Sequence, residues 1–565
     1  MRRTTPALVL ASVLVLASCS SGGSDAATTS TTTAAKSTAT TTSVGQPVSY
    51  DKGHACDQGA SLDKVTTQPV AGVASDRDLT SFDGTTIRLH WFPVTWATAT
   101  EKAPTVLMGP GWSLAGDTSE DGGALFSPLS IKGLHQAGYN VLTWDPRGFG
   151  KSSGVATVND PAKEGRDVQA LLDFVAEQPE AVTDGPGDPR AGMVGFSYGG
   201  GIQLTTAAID CRVDAIVPGI AWHSLKSSLY KADTVKTGWS KILTQTVPKD
   251  RLDPHVVSAA ASGLKDGTLS EANRKWFISR GPGDLIEKID IPTLFVQGTV
   301  DTLFTLDEAT TNYAILRKNH VPTAMLWFCG GHGTCLTDSG DPTRLALASY
   351  DWLDKYLRGD DKTIDAETNR LNLIDQDGTQ WTAKDWPVAA GEPVVATGKG
   401  TLDIKTEGGS GGGSLDTNPS DPMAGLVTNI TPTKADNAVN VAIDPGDTDA
   451  LALGAPKLEF TYNGSYSGDV TTTDGRVFAQ LIDDQTGLVL GNQITPIKVT
   501  LDGKSHTAKT NLEMIAHHLT AGHTLTLQIV AINTAYATTP PNGQIVFDTI
   551  TITLPTAAPK AVTKG

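Results

Sequence analysis

Apolar residues along this chain fall into two regimes. From about Thr85 to Gly359, short apolar runs alternate with segments of helical period. Thr105–Met108, Tyr139–Trp144, Met193–Phe196, Val213–Val217, Pro292–Gln297 and Thr323–Phe328 are short, predominantly apolar runs without strict alternation, as expected of strands buried on both faces. Between them, Asp160–Glu177 carries Val168, Leu171, Leu172 and Val175 on one helical stripe, with Asp160 placed to cap it and Pro161 in its first turn. Leu306–Arg317 and Leu345–Leu357 read as further helices, the second stopped by Gly359. This alternation predicts an α/β fold with a mostly parallel sheet covered on both faces. Residues 224–288 break it with polar, helical-looking segments, as a cap inserted between two sheet strands would. Beyond about residue 366 the period changes to two. Ile497–Leu501 and Thr549–Leu554 alternate strictly and Leu525–Ile532 is β-prone, which predicts an antiparallel sandwich with one wet face.

The first residues read as an address. Arg2 and Arg3 precede an apolar stretch, Ala7–Leu16, too short to span a bilayer. It ends in Leu16-Ala17-Ser18-Cys19, which resembles a bacterial lipobox and implies that Cys19 becomes a lipidated N-terminus. Residues 20–43 are nearly all Ser, Thr, Ala and Gly and cannot bury enough apolar surface to order themselves, so they read as a tether. The expected organisation is a signal peptide (1–18), a tether (19–48), an α/β domain (49–364), a β-sandwich (365–557) and a tail (558–565). The expected location is the outer face of a bacterial cell membrane. Export permits disulfides. Of the four remaining cysteines, Cys329 and Cys335 lie six apart in a Gly-rich loop and are paired first, which leaves Cys56 with Cys211.

The 565 residues carry 44 Lys and Arg against 61 Asp and Glu, for a net charge of −17. Such a chain is repelled by phosphate backbones, so nucleic-acid partners are set aside. There is no H-E-x-x-H motif, zinc-spaced Cys/His quartet, P-loop or dinucleotide fingerprint, so no metal and no cofactor is expected. Asp444–Asp449 could hold Ca²⁺ but reads better as an acidic turn.

Three strand ends carry reactive groups. Gly195-Phe196-Ser197-Tyr198-Gly199 is a G-x-S-x-G sequence between an apolar strand and a Gly-opened helix, the setting of a nucleophile elbow. A serine hydroxyl needs a base, and the base an orienting carboxylate. In the order serine, acid, histidine, Asp301 closes the strand Leu294–Gln297. His332 follows the strand ending at Phe328, at the carboxyl edge where ligands bind in open α/β sheets. The candidate oxyanion donors are the N–H of Tyr198 and that of Trp112, with Gly111 close behind. The nearby Asp145-Pro146-Arg147-Gly148 loop is expected to be pinned by an Asp145–Arg147 ion pair.

These marks together resemble the Xaa-Pro dipeptidyl-peptidase (S15)/cocaine-esterase-like hydrolases, the CocE/NonD group. The resemblance rests on Asp145–Ser152, Gly195–Gly199, Gly298–Asp301, Trp352–Gly359, and Gly378–Trp381 followed by Trp386-Pro387. It implies an α/β-hydrolase domain with a helical cap and a C-terminal jelly-roll β-sandwich. It also implies a triad of Ser197, Asp301 and His332, acting on a small-molecule ester or amide, or on a short peptide. The family commonly presents a tyrosine hydroxyl to the oxyanion after the early Gly-Pro; here Gly111-Trp112 stands there, so a backbone or indole donor is expected instead. Paired acids for a peptide N-terminus are not evident. Two other readings use the same features: a cell-surface carbohydrate- or peptide-binding protein with a vestigial triad, and an acyltransferase using the same acyl-enzyme.

Overall fold

The computed structural model describes residues 67–69, 76–120, 129–341, 343–360, 362–411, 427, 430–447, 449–536 and 539–565. Cys19, Cys56 and the expected signal peptide and tether lie outside them.

A twelve-stranded mixed sheet organises the first part of the chain. Its strands are β1 (Thr67–Pro69), β2 (Asp76–Thr80), β3 (Thr86–Phe92), β4 (Thr105–Gly109), β5 (Asn140–Trp144), β6 (Ala191–Phe196), β7 (Val213–Gly219), β8 (Thr293–Gly298), β9 (Thr323–Phe328), β10 (Leu371–Ile374) and β11 (Gln380–Ala383). A C-terminal strand, Val562–Lys564, completes it. The spatial order is β1-β2-β3-β5-β4-β6-β7-β8-β9-β10-β11, then the C-terminal strand. The segment from β5 to β10 is parallel and both edges are antiparallel.

The apolar runs are buried on both faces because helices cover both. On one side pack α2 (Glu164–Ala176), α3 (Tyr198–Ile209) and α8 (Leu306–Lys318); on the other, α1 (Ile131–Gln136) and α9 (Arg344–Arg358). Gly359 ends α9 at φ 70°, as its position predicted. Helix α2 begins later than expected. The Asp160 carboxylate accepts the Ala162 N–H within a preceding turn, and Lys163 takes the N-cap position.

Between β7 and β8 the chain forms the cap: α4 (Leu225–Leu229), α5 (Thr237–Gln245), α6 (Pro254–Asp266) and α7 (Glu271–Ile278). It also contains a two-residue hairpin, Tyr230–Lys231 against Thr234–Val235, which is too short to leave a strand signature in sequence. The C-terminal region is all-β. Strands Val394–Ile404, Gly543–Leu554, Lys457–Tyr466 and His506–Asn511 form one antiparallel sheet, and Ala438–Ile443, Leu525–Val530, Asp474–Asp483 and Thr495–Thr500 form a second. Alternate side chains of both enclose a core around Phe460, Val477, Leu527 and Ile550.

The expected boundary after residue 364 needs correction. Strand β10 pairs in parallel with β9, β11 pairs with β10, and Val562–Lys564 pairs with β11. The chain thus enters the sandwich from the large sheet and returns to it, and residues 558–565 are not merely a tail. Among the described residues, no helix is long and apolar enough to cross a membrane and no acidic or His/Cys cluster could hold a metal ion.

Candidate active site

The carboxyl ends of β6, β8 and β9 bring three side chains together. Ser197 follows β6 at φ 57°, ψ −115°, a left-handed conformation unusual for a non-glycine residue, and its carbonyl accepts the N–H of Gly200 and Gly201 at the start of α3. The flanking glycines permit this turn by proximity. A Cβ on Gly199 would lie 2.2 Å from the Gly109 carbonyl oxygen, and one on Gly195 2.7 Å from the same atom.

His332 Nε2 lies 2.8 Å from Ser197 Oγ, and His332 Nδ1 lies 2.8 Å from Asp301 Oδ2. Asp301 is fully buried. Its Oδ2 also accepts the His332 amide N–H at 3.1 Å, while Oδ1 accepts the N–H groups of Leu303 and Phe304 at 2.9 and 2.8 Å. As a carboxylate, Asp301 therefore fixes both the proton on Nδ1 and the plane of the imidazole, leaving Nε2 as an acceptor toward the serine. The ring is held edge-on by Phe304 at 5.1 Å and Trp239 at 5.7 Å. The Gly-Gly-His-Gly run lets the base loop lie on the acid loop. A Cβ on Gly331 (φ +113°) would meet Asp301 Cβ at 2.7 Å, and one on Gly333 would meet the Val300 carbonyl oxygen at 2.0 Å. A disulfide between Cys329 and Cys335 closes this loop around the histidine. The second expected bridge has its Cys56 half outside the described residues.

Of the candidate oxyanion donors, Tyr198 directly follows the serine and Trp112 lines the same cavity. Tyr198 N–H opens α3, where an amide has no intrahelical acceptor. The rest of Tyr198 is pinned: its hydroxyl donates to Glu164 Oε1 at 3.1 Å and its carbonyl accepts Asn159 Nδ2–H at 2.9 Å. Burial pushes Glu164 above the usual carboxylate range and the Tyr198 phenol well above its own. The Trp112 indole packs on Tyr198 at 5.2 Å and donates to the Leu243 carbonyl of the cap at 2.9 Å. That spends the indole donor, so the expected alternative to a tyrosine hydroxyl narrows to backbone N–H groups of the Gly111-Trp112 loop.

Asp145 and Arg147 do not pair with each other, contrary to expectation. Arg147 forks onto Asp167 with two 2.7 Å bonds and reaches Asp83 at 3.1 Å. Asp145 accepts the amides of Gly116 and Lys151 at 2.8 and 2.7 Å and contacts His90, whose other ring nitrogen meets Asp76. These bonds hold Asp145 below the usual carboxylate range in spite of its burial. Both residues pin the loop, each through its own partner.

Above Ser197, under the cap, opens a cavity of about 930 Å³, mouth included. Lys236, buried in its wall, donates to the Thr302 and Leu303 carbonyls at 3.0 and 3.1 Å, and burial pushes its ammonium down to about 8. The sandwich also reaches the site. Gln493 Nε2–H donates to the Asp301 carbonyl at 2.6 Å, and Asn492 Nδ2–H to the Thr334 carbonyl at 2.9 Å. Lys236, Gln493 and Asn492 carry no sequence signal, since each acts on a backbone carbonyl contributed by a segment far along the chain.

The sequence pattern of the X-Pro dipeptidyl-peptidase (S15) family matches residues 83–334. The chain is 27% identical over 144 residues to a polyketide transferase of Penicillium sp, 25% of this chain and 43% of that one. It is 34% identical over 95 residues to an uncharacterised 31.7 kDa protein of Escherichia coli, 17% and 32% respectively. It spans about a third to a half of the length of the curated relatives it matches. Among solved structures, a CocE/NonD family hydrolase from Staphylococcus aureus superposes with a TM-score of 0.61 at 12% identity, over 91% of this chain and 100% of the other. An α-amino acid ester hydrolase gives 0.65 at 16%, over 86% and 98%. These two likenesses establish the fold: an α/β hydrolase followed by a β-rich C-terminal domain. Residues 83–334 thus carry the sequence pattern of the X-Pro dipeptidyl-peptidase (S15) family on a fold similar to that of a CocE/NonD family hydrolase.

Proposed function

We propose that this chain is a serine hydrolase that cleaves an acyl ester or amide/peptide bond through an acyl-enzyme on Ser197. The observation that carries the reading is the continuous Ser197–His332–Asp301 chain, with both links at 2.8 Å. The match of residues 83–334 to the X-Pro dipeptidyl-peptidase (S15) family supports it. Ser197 Oγ attacks the carbonyl while His332 Nε2 accepts its proton. Asp301 keeps the imidazole in the competent tautomer and stabilises its cation. The oxyanion forms against the N–H of Tyr198 and an amide of the Gly111-Trp112 loop. His332 then protonates the leaving group. A water, deprotonated by the same nitrogen, attacks the acyl carbon and releases Ser197.

Ser197→Ala is expected to lower kcat on short-chain nitrophenyl esters by about 10⁴-fold or more, with the fold intact. Ser197 is also expected to be labelled by a fluorophosphonate probe. Undiminished hydrolysis by the purified variant would refute the assignment. An unreactive serine in the full chain would favour the binding-protein reading.

The Leu16–Cys19 sequence supports an extracytoplasmic, lipid-anchored enzyme on the outer face of the membrane. Incorporation of labelled palmitate that is lost in Cys19→Ala tests this. Two curated relatives are named polyketide transferases, and transfer of the same acyl group to an acceptor other than water is the second reading. Product analysis with and without added alcohol separates the two.

A further inference from the structure

The cavity above Ser197 has a one-sided chemistry. Its walls are mostly apolar: Leu225, Leu243, Val256 and Phe277 of the cap face Trp222 and Phe304 of the hydrolase body. The charged residues that line it are Lys226, Lys236 and Arg274, and no Asp or Glu lines it among the described residues. Lys236 is 5% exposed, and its ammonium spends two of three N–H donors on the carbonyls of Thr302 and Leu303, directly after Asp301. No third acceptor is present among the described residues. A substrate carrying a free α-ammonium would bring an unpaired cation into a cavity that lacks a carboxylate and already holds a buried cation. The carboxylates whose charge reaches Lys236, Glu513 first and then Asp301 and Glu308, are not among the residues that line the cavity, so an incoming ammonium would lose its hydration without a lining carboxylate to pair with. An apolar chain meets no such penalty.

We propose that this cavity is an acyl pocket, selecting substrates whose acyl group is apolar and free of positive charge and rejecting those that present a free α-amino group. The proposal rests on the serine-hydrolase reading and narrows it: a dipeptide with an unblocked N-terminus is a poor substrate, and an ester of an apolar acid is a good one.

The test compares nitrophenyl esters of butyric, octanoic and 2-aminooctanoic acid, together with alanyl-proline nitroanilide, on the full chain. The octanoyl ester is expected to exceed the butyryl ester in kcat/KM by about tenfold. It should exceed its 2-amino analogue by about 100-fold. In Lys236→Met the gap between octanoyl and 2-aminooctanoyl esters should shrink to about tenfold. An amino ester cleaved as fast as the octanoyl ester, or a preference for the alanyl-proline amide, would overturn the proposal. Calorimetric binding of octanamide and 2-aminooctanamide to Ser197→Ala reports on the pocket without any chemistry. Tighter binding of octanamide by a chain whose serine proves unreactive would sink the hydrolase reading and leave the pocket standing. Tighter binding of the amine by a chain whose serine is reactive would do the reverse.

Discussion

The reacting side chains are held by contacts that leave no room for substitution around them. Gly199 is the sharpest case, because an added methyl would lie 2.2 Å from a backbone oxygen of β4, which cannot swing away as a side chain can. Gly199→Ala is expected to destabilise the α/β region by about 3 kcal/mol, read as a lower denaturation midpoint, with esterase activity lost because α3 is pushed off β4. At this scale the sequence was most informative about Ser197, Asp301 and His332. Each follows an apolar strand, and sequence order sets which end of the strand it occupies. Lys236 was illegible because it is one polar residue in a polar segment, and its role comes from the carbonyls of Thr302 and Leu303, 66 and 67 positions away. Asp145 and Arg147 are close in sequence yet do not pair for a related reason: Asp167 and Asp83, far along the chain, engage the Arg147 guanidinium instead.

Among the elements, the loop from Cys329 to Cys335 shows how a short segment can be made rigid. Three glycines allow it to lie against the acid loop, and the same glycines would leave it loose on its own. The disulfide joins its ends with His332 at its midpoint. The double variant Cys329→Ser/Cys335→Ser is therefore expected to keep its fold and lose about tenfold in kcat with little change in KM, because the base samples positions away from Ser197. Unchanged kcat would show that the glycine packing alone suffices. The bridge was readable from spacing. The start of α2 was not, because a capping Asp and a first-turn Pro also suit the Asx turn that precedes the helix.

Across the whole molecule, the sandwich is a working part of the site rather than an appendage. Gln493 and Asn492 hold the backbones that carry Asp301 and the end of the histidine loop. Glu513 binds Lys231 of the cap at 2.5 Å and Thr305 at 2.9 Å. Beside it, burial and the Glu513 charge push the Asp307 carboxyl from 3.8 up to about 7. A raised carboxyl stabilises the fold while protonated, so this contribution is full below about pH 4 and fades as pH rises to about 7. Between pH 5 and pH 8 the thermal midpoint is expected to fall, and in Asp307→Asn the fall should be smaller. Equal slopes in the two proteins would remove Asp307 from the account. None of this was legible in the sequence, where period-two alternation marks a strand and says nothing of which loop its turns will touch.

The last strand has its own consequence. Val562–Lys564 covers one margin of the twelve-stranded sheet, and the Gly565 amide donates to the Gln380 carbonyl at 2.8 Å. Deleting residues 562–565 would leave Gln380–Ala383 with a row of unanswered peptide groups, open to any extended chain nearby. The shortened protein is expected to self-associate, visible as a concentration-dependent rise in mass by light scattering, while the full chain scatters as before. An affinity handle fused directly to Gly565 would load the same seam, so the safer place for one is a surface turn of the sandwich.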